Sequence, residues 1–353
     1  MKKLLHIIDS LAVGGAEKLL VGIINGLEQY EHHLILLKGP EILLPQLRQD
    51  LSFNNLQCHS FAQLFTKIPV VKKYIREHKI DIVHSHLYES NLLARLSTPR
   101  SVSLVNSIHA ISSLASYKVN RMSLYMEKLT YKKRHVVVAV SKTVLEDFDE
   151  WVGLKGNKHV LYNFIEEKFF QPFQEKPGLP DGRLKLVAVG NLRWQKNYPY
   201  LLEAFKKIPE GVTLDIYGEG GLKANLQQQI DTYHLPIKLC GTHYDMEKVL
   251  PTYDAFVMSS FYEGQPVSLL EAMASGLPAI LSDIPVLREV NEDKAIYFDI
   301  DNTDSFVSVI KAILDGKYNL AGFARAGHQR VNEFAHRQQY LEQLLTIYKK
   351  LPG

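Results

Sequence analysis

Two glutamates stand eight positions apart in the most chemically informative stretch of the chain, residues 259–278 (SSFYEGQPVSLLEAMASGLP). Glu263 precedes Gly264 and Pro266, and an apolar helical run follows them. Because proline is favoured at the first helical position, the sequence predicts a helix that begins near Pro266. The unpaired amides and partial positive charge at such a helix start suit a phosphate. With the loop in between, Glu263 and Glu271 can both face one ligand.

The plainer interpretation of these residues is a turn glutamate and a solvated helix glutamate. For either residue alone, that interpretation would be preferred. The conjunction of a strand end, a loop glutamate, a glycine, a proline and a helix glutamate favours a ligand site instead. In that site, the first free amides of the helix would come from Val267 and Ser268.

Strand-like apolar runs alternate with longer amphipathic stretches in both halves of the chain, which is the pattern of parallel sheets flanked by helices. The predicted strands cover residues 4–8, 33–37, 82–84, 103–108 and 136–140 in the first half, and residues 184–189, 213–217, 237–239, 255–258 and 279–281 in the second. The predicted helices include residues 16–27, 70–78, 121–131, 200–207, 222–233 and 336–350.

A polar stretch at residues 171–183 (QPFQEKPGLPDGR) holds three prolines and two glycines and predicts a linker. We therefore expect an α/β protein with two doubly wound, Rossmann-like domains. Ligands of such sheets bind at the carboxyl ends of the strands, so the cleft between the domains is the expected site. The predicted parts are a first domain, a linker, a second domain and a terminal helix that crosses back to the first domain, at residues 1–166, 167–183, 184–335 and 336–353.

The overall composition excludes several classes of protein. Of the 353 residues, 46% are apolar and 22% are charged, which excludes a disordered or a fibrous chain. No run of about 18 apolar residues lacks charges, so no transmembrane helix is expected. The opening MKKLLHII resembles a signal peptide, but His6 and Asp9 interrupt it and favour a first strand. Cys58 and Cys240 alone cannot build a disulfide framework or a zinc cage, which fits a cytoplasmic protein.

Positive charge is concentrated in the first half of the chain. Residues 1–165 carry 21 Lys+Arg against 14 Asp+Glu, and the remainder carries 20 against 24. Residues 118–134 alone carry six basic residues against Glu127, with aromatic and aliphatic residues between them. This stretch is either a basic amphipathic helix that associates reversibly with an anionic membrane, or a solvated face beside a buried stripe. The residues leave both interpretations open.

Taken together, these motifs resemble the retaining glycosyltransferases of GT-B architecture, the large fourth family, whose signature is two glutamates separated by seven residues. The match spans nearly the whole chain, in the order of the family. Its further elements are residues 10–17 (SLAVGGAE), 81–96 (DIVHSHLYESNLLARL), 107–110 (SIHA), 138–142 (VAVSK), 161–165 (LYNFI), 189–204 (VGNLRWQKNYPYLLEA) and 217–221 (YGEGG). The chain lacks the GxGxxG and GxxxxGK[ST] motifs, which argues against a dinucleotide dehydrogenase and a P-loop NTPase.

The resemblance implies roles for both signature glutamates. Glu271 would accept hydrogen bonds from the two ribose hydroxyls of a nucleotide sugar, as an ionised carboxylate can. Glu263 would hold hydroxyls of the donor sugar and stabilise positive charge at its anomeric carbon. Backbone amides near the helix start would contact the donor, from Gly264, Gln265, Val267 and Ser268.

The resemblance also places a cation against the leaving diphosphate. Lys196 would take this role, because a leaving group without a metal ion needs cationic donors. The family commonly has an arginine where this chain has Asn191, and Arg193 is a candidate to supply the missing charge. Gly14 and Gly15 would let the backbone approach a phosphate or sugar closely.

Other donor and acceptor contacts follow from the same resemblance. The nucleobase would be recognised largely by the backbone of residues 242–244, which include Tyr244. His109 ends a predicted strand and would contact the donor sugar at the reaction centre. His84 and His86 form an H-x-H pair, and because no third ligand stands nearby, we expect them to line the cleft or contact the acceptor rather than bind zinc.

An aspartate pair, Asp299 and Asp301, imitates the DxD motif of metal-dependent glycosyltransferases. It follows the last predicted strand and precedes a helix near residues 303–314, so Asp301 or Asn302 is better interpreted as a helix cap. We expect no obligatory metal.

The predicted function is transfer of a hexose or N-acetylhexosamine from a nucleoside diphosphate sugar to an acceptor hydroxyl, with retention of configuration. The acceptor would be a growing surface glycan or a lipid-linked one, handled in the cytoplasm or at the inner face of the plasma membrane, without nucleic acid. Two alternatives stay open, a nucleotide-sugar epimerase of GT-B fold and a non-catalytic nucleotide- or glycan-binding protein. A glycan phosphorylase would need a longer chain and a pyridoxal-binding lysine.

Overall fold

The structure of the chain is a computed structural model that describes all residues except 116–120, 177, 178, 180, 181 and 353, and leaves out the side chains of residues 115 and 121–124. The described chain divides into two compact units. Unit 1 comprises Met1–Asn163 and Arg337–Gly353, and unit 2 comprises Phe164–His336. The C-terminal helix thus belongs to the unit that contains the N-terminus.

Unit 1 is built on a seven-stranded sheet in which every neighbouring pair is parallel. Its strand order is β3-β2-β1-β4-β5-β6-β7, so the strand order reverses beside β1. The strands are β1 Lys2–Ile8, β2 Tyr30–Leu36, β3 Ser52–Asn55, β4 Ile82–His86, β5 Ser103–Ile108, β6 Val136–Ala139 and β7 Lys158–Val160.

Helices cover the sheet of unit 1, as the apolar runs of its strands require. One face carries the core of Leu5, Ile7, Ile35 and Val83, together with residues of the second and third helices. The helices are α1 Gly15–Gly26, α2 Phe61–Glu77, α3 Tyr88–Ser97, α4 Ser112–Ala115, α5 Arg121–Thr130, α6 Lys142–Val152 and the C-terminal α14 Arg337–Lys349.

Unit 2 is built on a six-stranded parallel sheet with the order β10-β9-β8-β11-β12-β13. Its strands are β8 Leu184–Val189, β9 Val212–Tyr217, β10 Ile237–Gly241, β11 Ala255–Met258, β12 Ala279–Ser282 and β13 Ile296–Phe298. Its helices are α7 Tyr198–Phe205, α8 Lys223–Tyr233, α9 Met246–Val249, α10 Val267–Ala274, α11 Pro285–Asn291, α12 Thr303–Leu314 and α13 Leu320–Phe334.

The predicted fold class, two Rossmann-like parallel sheets flanked by helices, is confirmed. Strands β5, β8 and β11 have the predicted bounds. The pattern did not reveal the edge strands β3 and β7, because SFNN and KHV are short and contain few apolar residues. None of the described helices is both long and apolar enough to span a bilayer.

The segment predicted as a linker begins later than the boundary between the units. Unit 2 starts at Phe164, and Phe169, with 2% of its surface exposed, packs into the core of that unit beside Phe256 and Leu270. A short 3₁₀ turn, Glu167–Phe169, precedes the proline-rich residues. Burial of these aromatic side chains ties residues 164–170 to unit 2, which local composition does not reveal.

Candidate active site

Two loops of unit 2 leave the same edge of its sheet. One follows β8 and contains the 3₁₀ turn Trp194–Lys196, and the other joins β11 to α10 and contains Glu263. Strands β8 and β11 are parallel neighbours. Because the carboxyl ends of parallel neighbours meet at one edge, these loops are placed side by side.

Lys196 and Glu263, both predicted site residues, form an ion pair in which Lys196 Nζ lies 2.7 Å from Glu263 Oε1. The two side chains are 15% and 8% exposed, respectively. Ser260 Oγ donates a second hydrogen bond, of 2.7 Å, to the same carboxylate oxygen. Charge-assisted hydrogen bonds of this length between two largely buried side chains hold Lys196 and Glu263 in fixed positions.

The backbones of the two loops are also joined to each other. The Phe261 amide donates to the Gln195 carbonyl at 2.9 Å, and the Gln195 side-chain amide donates to the Tyr262 carbonyl at 2.9 Å. Ser259 Oγ donates to the Lys196 carbonyl at 2.9 Å, and the Trp194 ring stacks on Phe261 with centroids 4.6 Å apart. The loops therefore present Lys196 and Glu263 on a rigid frame.

Glycines behind Lys196 leave room for its side chain. A Cβ on Gly190 would lie 2.8 Å from Lys196 Cε, and a Cβ on Gly218, whose φ is +148°, would lie 2.1 Å from the Gly190 carbonyl. Tyr198 Oη donates to that same carbonyl at 3.0 Å, and burial raises the pKa of the Tyr198 hydroxyl, so it stays a neutral donor. Residues 189–204 and 217–221 carry the family resemblance, but their sequence did not show that Gly190 and Gly218 make room for the Lys196 side chain.

Helix α10 begins as predicted, with Pro266 as the residue before its first turn. The first intrahelical bond is donated by the Leu269 amide to the Pro266 carbonyl at 3.1 Å, so the amides of Val267 and Ser268 precede it. Glu271 is the fifth residue of the helix, at the start of its second turn, and is 5% exposed. Gly264 and Gln265 are buried between Glu263 and the helix.

The remaining residues predicted on the donor side are more exposed. Arg193 and Asn191 are exposed in the loop that carries Lys196, and Arg193 directly precedes its 3₁₀ turn. Tyr244 is 71% exposed in the loop after β10, at the same edge of the sheet. These side chains have room to rearrange around a ligand.

In unit 1, Gly14 and Gly15 start α1 directly after the loop that follows β1. Gly14 has φ −149°, an extended conformation that any residue adopts, so its backbone angle does not require glycine. A Cβ there would lie 2.3 Å from Glu17 Oε2, the tip of a flexible side chain. The close approach at this position is made by the chain's own glutamate.

Asp9, at the carboxyl end of β1, has a shifted pKa, and the sequence motifs did not single it out. Its Oδ1 accepts hydrogen bonds from the Ser90 amide at 3.1 Å and from Ser90 Oγ at 2.6 Å. Burial raises the pKa of the Asp9 carboxyl to about 6, against the opposing effect of Ser90. Only the tertiary structure brings β1 and α3 together in this way.

The predicted acceptor residues His84 and His86 have no exposed surface. His84 Nδ1 lies 2.5 Å from Tyr348 Oη, and His84 Nε2 lies 2.8 Å from Ser107 Oγ. Both ring nitrogens of His84 are therefore used inside unit 1, between β4, β5 and α14. An acceptor could reach neither ring in this structure, because both rings are fully buried. On His84, the cover includes Tyr348 of the C-terminal helix, which was predicted to cross back to the first domain.

His109 follows β5, is partly buried, and contacts His86 through a pair of ring nitrogens 3.2 Å apart. Burial lowers the pKa of His109 to about 4, so its ring is neutral at pH 7.

The expectation that no third ligand stands near the H-x-H pair is wrong. His6 of β1 is the register partner of His84, and one ring nitrogen of each of His6, His84 and His86 lies within 4.8 Å of the other two.

The aspartate pair Asp299 and Asp301 belongs to a helix start. Asn302 Oδ1 accepts a 3.0 Å hydrogen bond from the Asp304 amide at the start of α12, and Asp299 Oδ1 accepts one from the Asp301 amide. The predicted capping role is confirmed for Asn302.

The basic stretch 118–134 is described only in part. Its first three residues, Lys118, Val119 and Asn120, lie outside the described residues, as do the side chains of residues 121–124. In the described part, Tyr125 and Leu129 of α5 are 58% and 57% exposed. Lys128, Lys132 and Lys133 are exposed as well. The acid of this stretch, Glu127, points inward and pairs with the buried Arg95 at 2.7 Å. Among the described side chains, the exposed surface of α5 and of the residues that directly follow it is thus apolar and basic.

Comparison with known families assigns both halves of the chain. The family model Glycosyltransferase Family 4 matches residues 13–169, and the model Glycosyl transferases group 1 matches residues 169–330. The chain belongs to the group 1 glycosyltransferases of GT-B fold. It is therefore an enzyme that transfers a sugar.

Curated relatives of this glycosyltransferase include two bacterial enzymes. It is 27% identical over 338 residues, 89% of this chain and 91% of the relative, to the N-acetylgalactosamine-N,N'-diacetylbacillosaminyl-diphospho-undecaprenol 4-alpha-N-acetylgalactosaminyltransferase of Campylobacter jejuni. It is 28% identical over 272 residues, 69% of either chain, to the UDP-Gal:alpha-D-GlcNAc-diphosphoundecaprenol alpha-1,3-galactosyltransferase of Escherichia coli.

Among solved structures, the glycosyltransferase resembles Anabaena Alr3699/HepE in complex with UDP-glucose, with a TM-score of 0.85 and 16% identity over 99% of this chain and 100% of that one. It also resembles TarM, with a TM-score of 0.77 and 13% identity over 99% of each chain. At these identities the likeness supports the fold alone.

Proposed function

We propose that this glycosyltransferase transfers a sugar from a nucleoside diphosphate sugar to an acceptor hydroxyl, with retention of configuration and without a metal ion. The observation that carries the proposal is the Lys196–Glu263 ion pair, which lies beside the start of the helix that bears Glu271. The cation and the helix start suit the diphosphate of such a donor, and the two acids suit its sugar and its ribose.

The diphosphate would be held by the amides of Val267 and Ser268 together with Lys196. An ammonium group has three N–H donors, so Lys196 can keep its bond to Glu263 and donate another to a phosphate oxygen. The positive end of the α10 dipole adds to the stabilisation of the charge that develops on the leaving group. Removal of one such donor typically raises the barrier by about 3 kcal/mol.

The two acids would then bind opposite ends of the donor. Glu271 accepts hydrogen bonds from the ribose hydroxyls, and Glu263 faces the donor sugar and stabilises positive charge at its anomeric carbon. The acceptor oxygen attacks from the face that the diphosphate leaves, and the departing phosphate oxygen takes the acceptor's proton. The protein's contribution is orientation and fixed electrostatics, which the joined loops 190–198 and 259–265 supply.

We further propose that the acceptor is a lipid-linked glycan in the assembly of a surface polysaccharide or glycolipid. Both curated relatives named above carry diphosphoundecaprenol in their names, which supports a lipid-linked acceptor. The apolar and basic face of α5 is the surface we assign to contact with an anionic membrane, which would place the enzyme at the inner face of the plasma membrane.

The decisive experiment is transfer from a panel of uridine, guanosine and adenosine diphosphate sugars to short lipid-linked acceptors, with EDTA present and the product anomer read by NMR. Lys196→Met and Glu271→Gln are each expected to lower kcat/KM by roughly 10²–10³. Lys207→Met is the matched control, because Lys207 is an exposed lysine of the same unit that pairs with exposed Asp304.

Four results would contradict the proposal. Inversion of the anomeric configuration would exclude the retaining mechanism, and loss of activity in EDTA would exclude transfer without a metal. Conversion of the donor alone, without acceptor, would favour the epimerase, and saturable binding without any turnover would favour a non-catalytic protein.

A further inference from the structure

Five histidines lie together inside unit 1, and we call them the histidine cluster: His6 of β1, His32 of β2, His84 and His86 of β4, and His109 after β5. Four of them have at most 3% of their surface exposed. Adjacent rings stack or tilt against one another, with 4.3 Å between the centroids of His84 and His86 and 5.4 Å between those of His6 and His32. Nothing in the proposed transfer reaction uses this cluster as a whole.

The hydrogen bonds determine which ring nitrogens of His32 and His6 carry a hydrogen. His32 Nε2 lies 2.8 Å from the Leu27 carbonyl, which can only accept, so this nitrogen carries the hydrogen. A neutral His32 therefore has its lone pair on Nδ1, which accepts from His6 Nε2 at 3.3 Å. His6 in turn has its lone pair on Nδ1, and this buried nitrogen has no hydrogen-bond partner among the described residues.

His86, like His6, has one ring nitrogen in contact with a neighbouring histidine and one without a hydrogen-bond partner among the described residues. His86 Nδ1 and His109 Nε2 lie 3.2 Å apart, and His86 Nε2 is buried without a hydrogen-bond partner in the described part of the chain. Buried polar atoms in folded proteins are nearly always satisfied, and a bound metal ion or a water molecule is what would satisfy these two nitrogens. His84 completes the group, because one ring nitrogen from each of His6, His84 and His86 lies within 4.8 Å of the others.

We propose that His6, His84 and His86 bind one divalent transition-metal ion of the zinc type. Three neutral imidazoles suit Zn²⁺, Co²⁺ or Ni²⁺ rather than Mg²⁺ or Ca²⁺, which take oxygen ligands. The outer nitrogens of His6 and His86 contact ring nitrogens of His32 and His109, so each ring is oriented through its second nitrogen, as metal-ligating histidines are through their hydrogen-bond partners. The site is structural, and it is independent of the proposed sugar transfer.

Binding requires two small adjustments. Nitrogens at 2.0–2.1 Å from a tetrahedral zinc lie about 3.4 Å apart, and the cluster nitrogens lie within 4.8 Å of one another, so any pair would close by at most about 1.4 Å. His84 would exchange one of its hydroxyl partners, Ser107 or Tyr348, for the metal. The displaced hydroxyl remains beside the site and is the candidate fourth ligand. The competing occupant is a water molecule that bridges His6 Nδ1 and His86 Nε2.

The test uses the full-length protein without a polyhistidine tag, expressed in medium supplemented with zinc and dialysed against EDTA. Inductively coupled plasma mass spectrometry is expected to find about one zinc per chain in the wild type and in His135→Gln, and little in His6→Asn and His86→Gln. His135 is the matched control because it is equally buried in unit 1 but lies outside the cluster.

A second measurement keeps the proposal testable if the cluster variants do not fold. The wild-type protein is unfolded with chelator and refolded with Co²⁺, whose visible absorption bands report nitrogen ligation. Wild-type protein that carries no metal, shows no such bands and gains no thermal stability from Zn²⁺ would overturn the proposal in favour of a bridging water. Sugar transfer by a metal-free protein would leave the proposed function intact, so the two proposals fail separately.

Discussion

At the scale of single residues, the candidate site depends on two glycines, Gly190 and Gly218, whose lack of a side chain makes room for Lys196. Lys196 reaches Glu263 because Gly190 has no side chain, and Gly190 keeps its place because Gly218 has none either. In contrast, a Cβ added to Gly221 of the same YGEGG turn would meet nothing within 4 Å, and the φ of Gly221 is ordinary. The glycines of this motif therefore differ in what they do.

This difference gives a matched pair of substitutions. Gly190→Ala is expected to push the Lys196 side chain off Glu263 and to lower kcat by up to about 10²-fold, since the loss of one preorganised donor costs about 3 kcal/mol. Gly221→Ala is expected to leave kcat near the wild-type value, because nothing obstructs its methyl group. Steady-state kinetics of both variants, with circular dichroism to establish folding, would measure this. Equal effects would show that Lys196 does not depend on Gly190.

At the scale of elements, α5 has two faces with different chemistry. Glu127 on its inner face pairs with Arg95 of α3, and both side chains are nearly inaccessible, at 6% and 0% exposed. Arg95 also donates to Thr130 Oγ1 at 2.9 Å and lies over the Tyr131 ring. The acid of the basic stretch is thus paired internally, which leaves lysines beside exposed apolar side chains on the outside.

The membrane assignment is tested on that outer face. Changing Lys128, Lys132 and Lys133 to glutamine is expected to weaken sedimentation with anionic vesicles strongly, since each basic residue near such a surface contributes about 1 kcal/mol. Vesicles of zwitterionic lipid and a triple lysine variant of exposed Lys72, Lys73 and Lys79 serve as controls. If wild-type protein stays in the supernatant with anionic vesicles at low salt, the assignment is refuted.

The elements also show what could be predicted locally and what could not. Strand β5 and the start of α10 were found because apolar runs and a proline before a helix are local signals. Helix α2 begins at Phe61, nine residues before the predicted start, since Ser60 caps it and Pro69 lies inside it. The cap satisfies the Gln63 amide, a contact that the search for apolar periodicity passed over.

At the scale of the whole molecule, the C-terminal helix is part of the first unit rather than an appendage. A Cβ on Gly26 of α1 would lie 2.4 Å from Leu341 Cδ1, so α14 packs closely on α1. Leu344 and Tyr348 are buried, and Tyr348 bonds His84 in the middle of the sheet. The last helix of the chain therefore completes the core that its first strand begins.

Leu344→Ala should accordingly destabilise unit 1 by about 2–5 kcal/mol, the usual cost of emptying such a position. Hydrogen exchange measured by mass spectrometry is expected to speed up in β1, β2 and α1, while the strands of unit 2 keep their protection. Gln343→Ala, one residue away on the exposed side of the same helix, is the control. Equal loss of protection in both units would contradict this division of the chain.

The sequence by itself determined the fold class, the two parallel sheets and the start of α10, because apolar periodicity and proline placement act over a few residues. It also singled out Lys196, Glu263 and Glu271, whose types and order carry the family resemblance. Only the tertiary structure decided that Lys196 lies on Glu263, that α14 covers His84, and that His6 joins the H-x-H pair. Those contacts join residues 67, 264 and 78 positions apart. Pairing of parallel strands and packing of helices bring them together, and no local pattern records which distant side chains will meet.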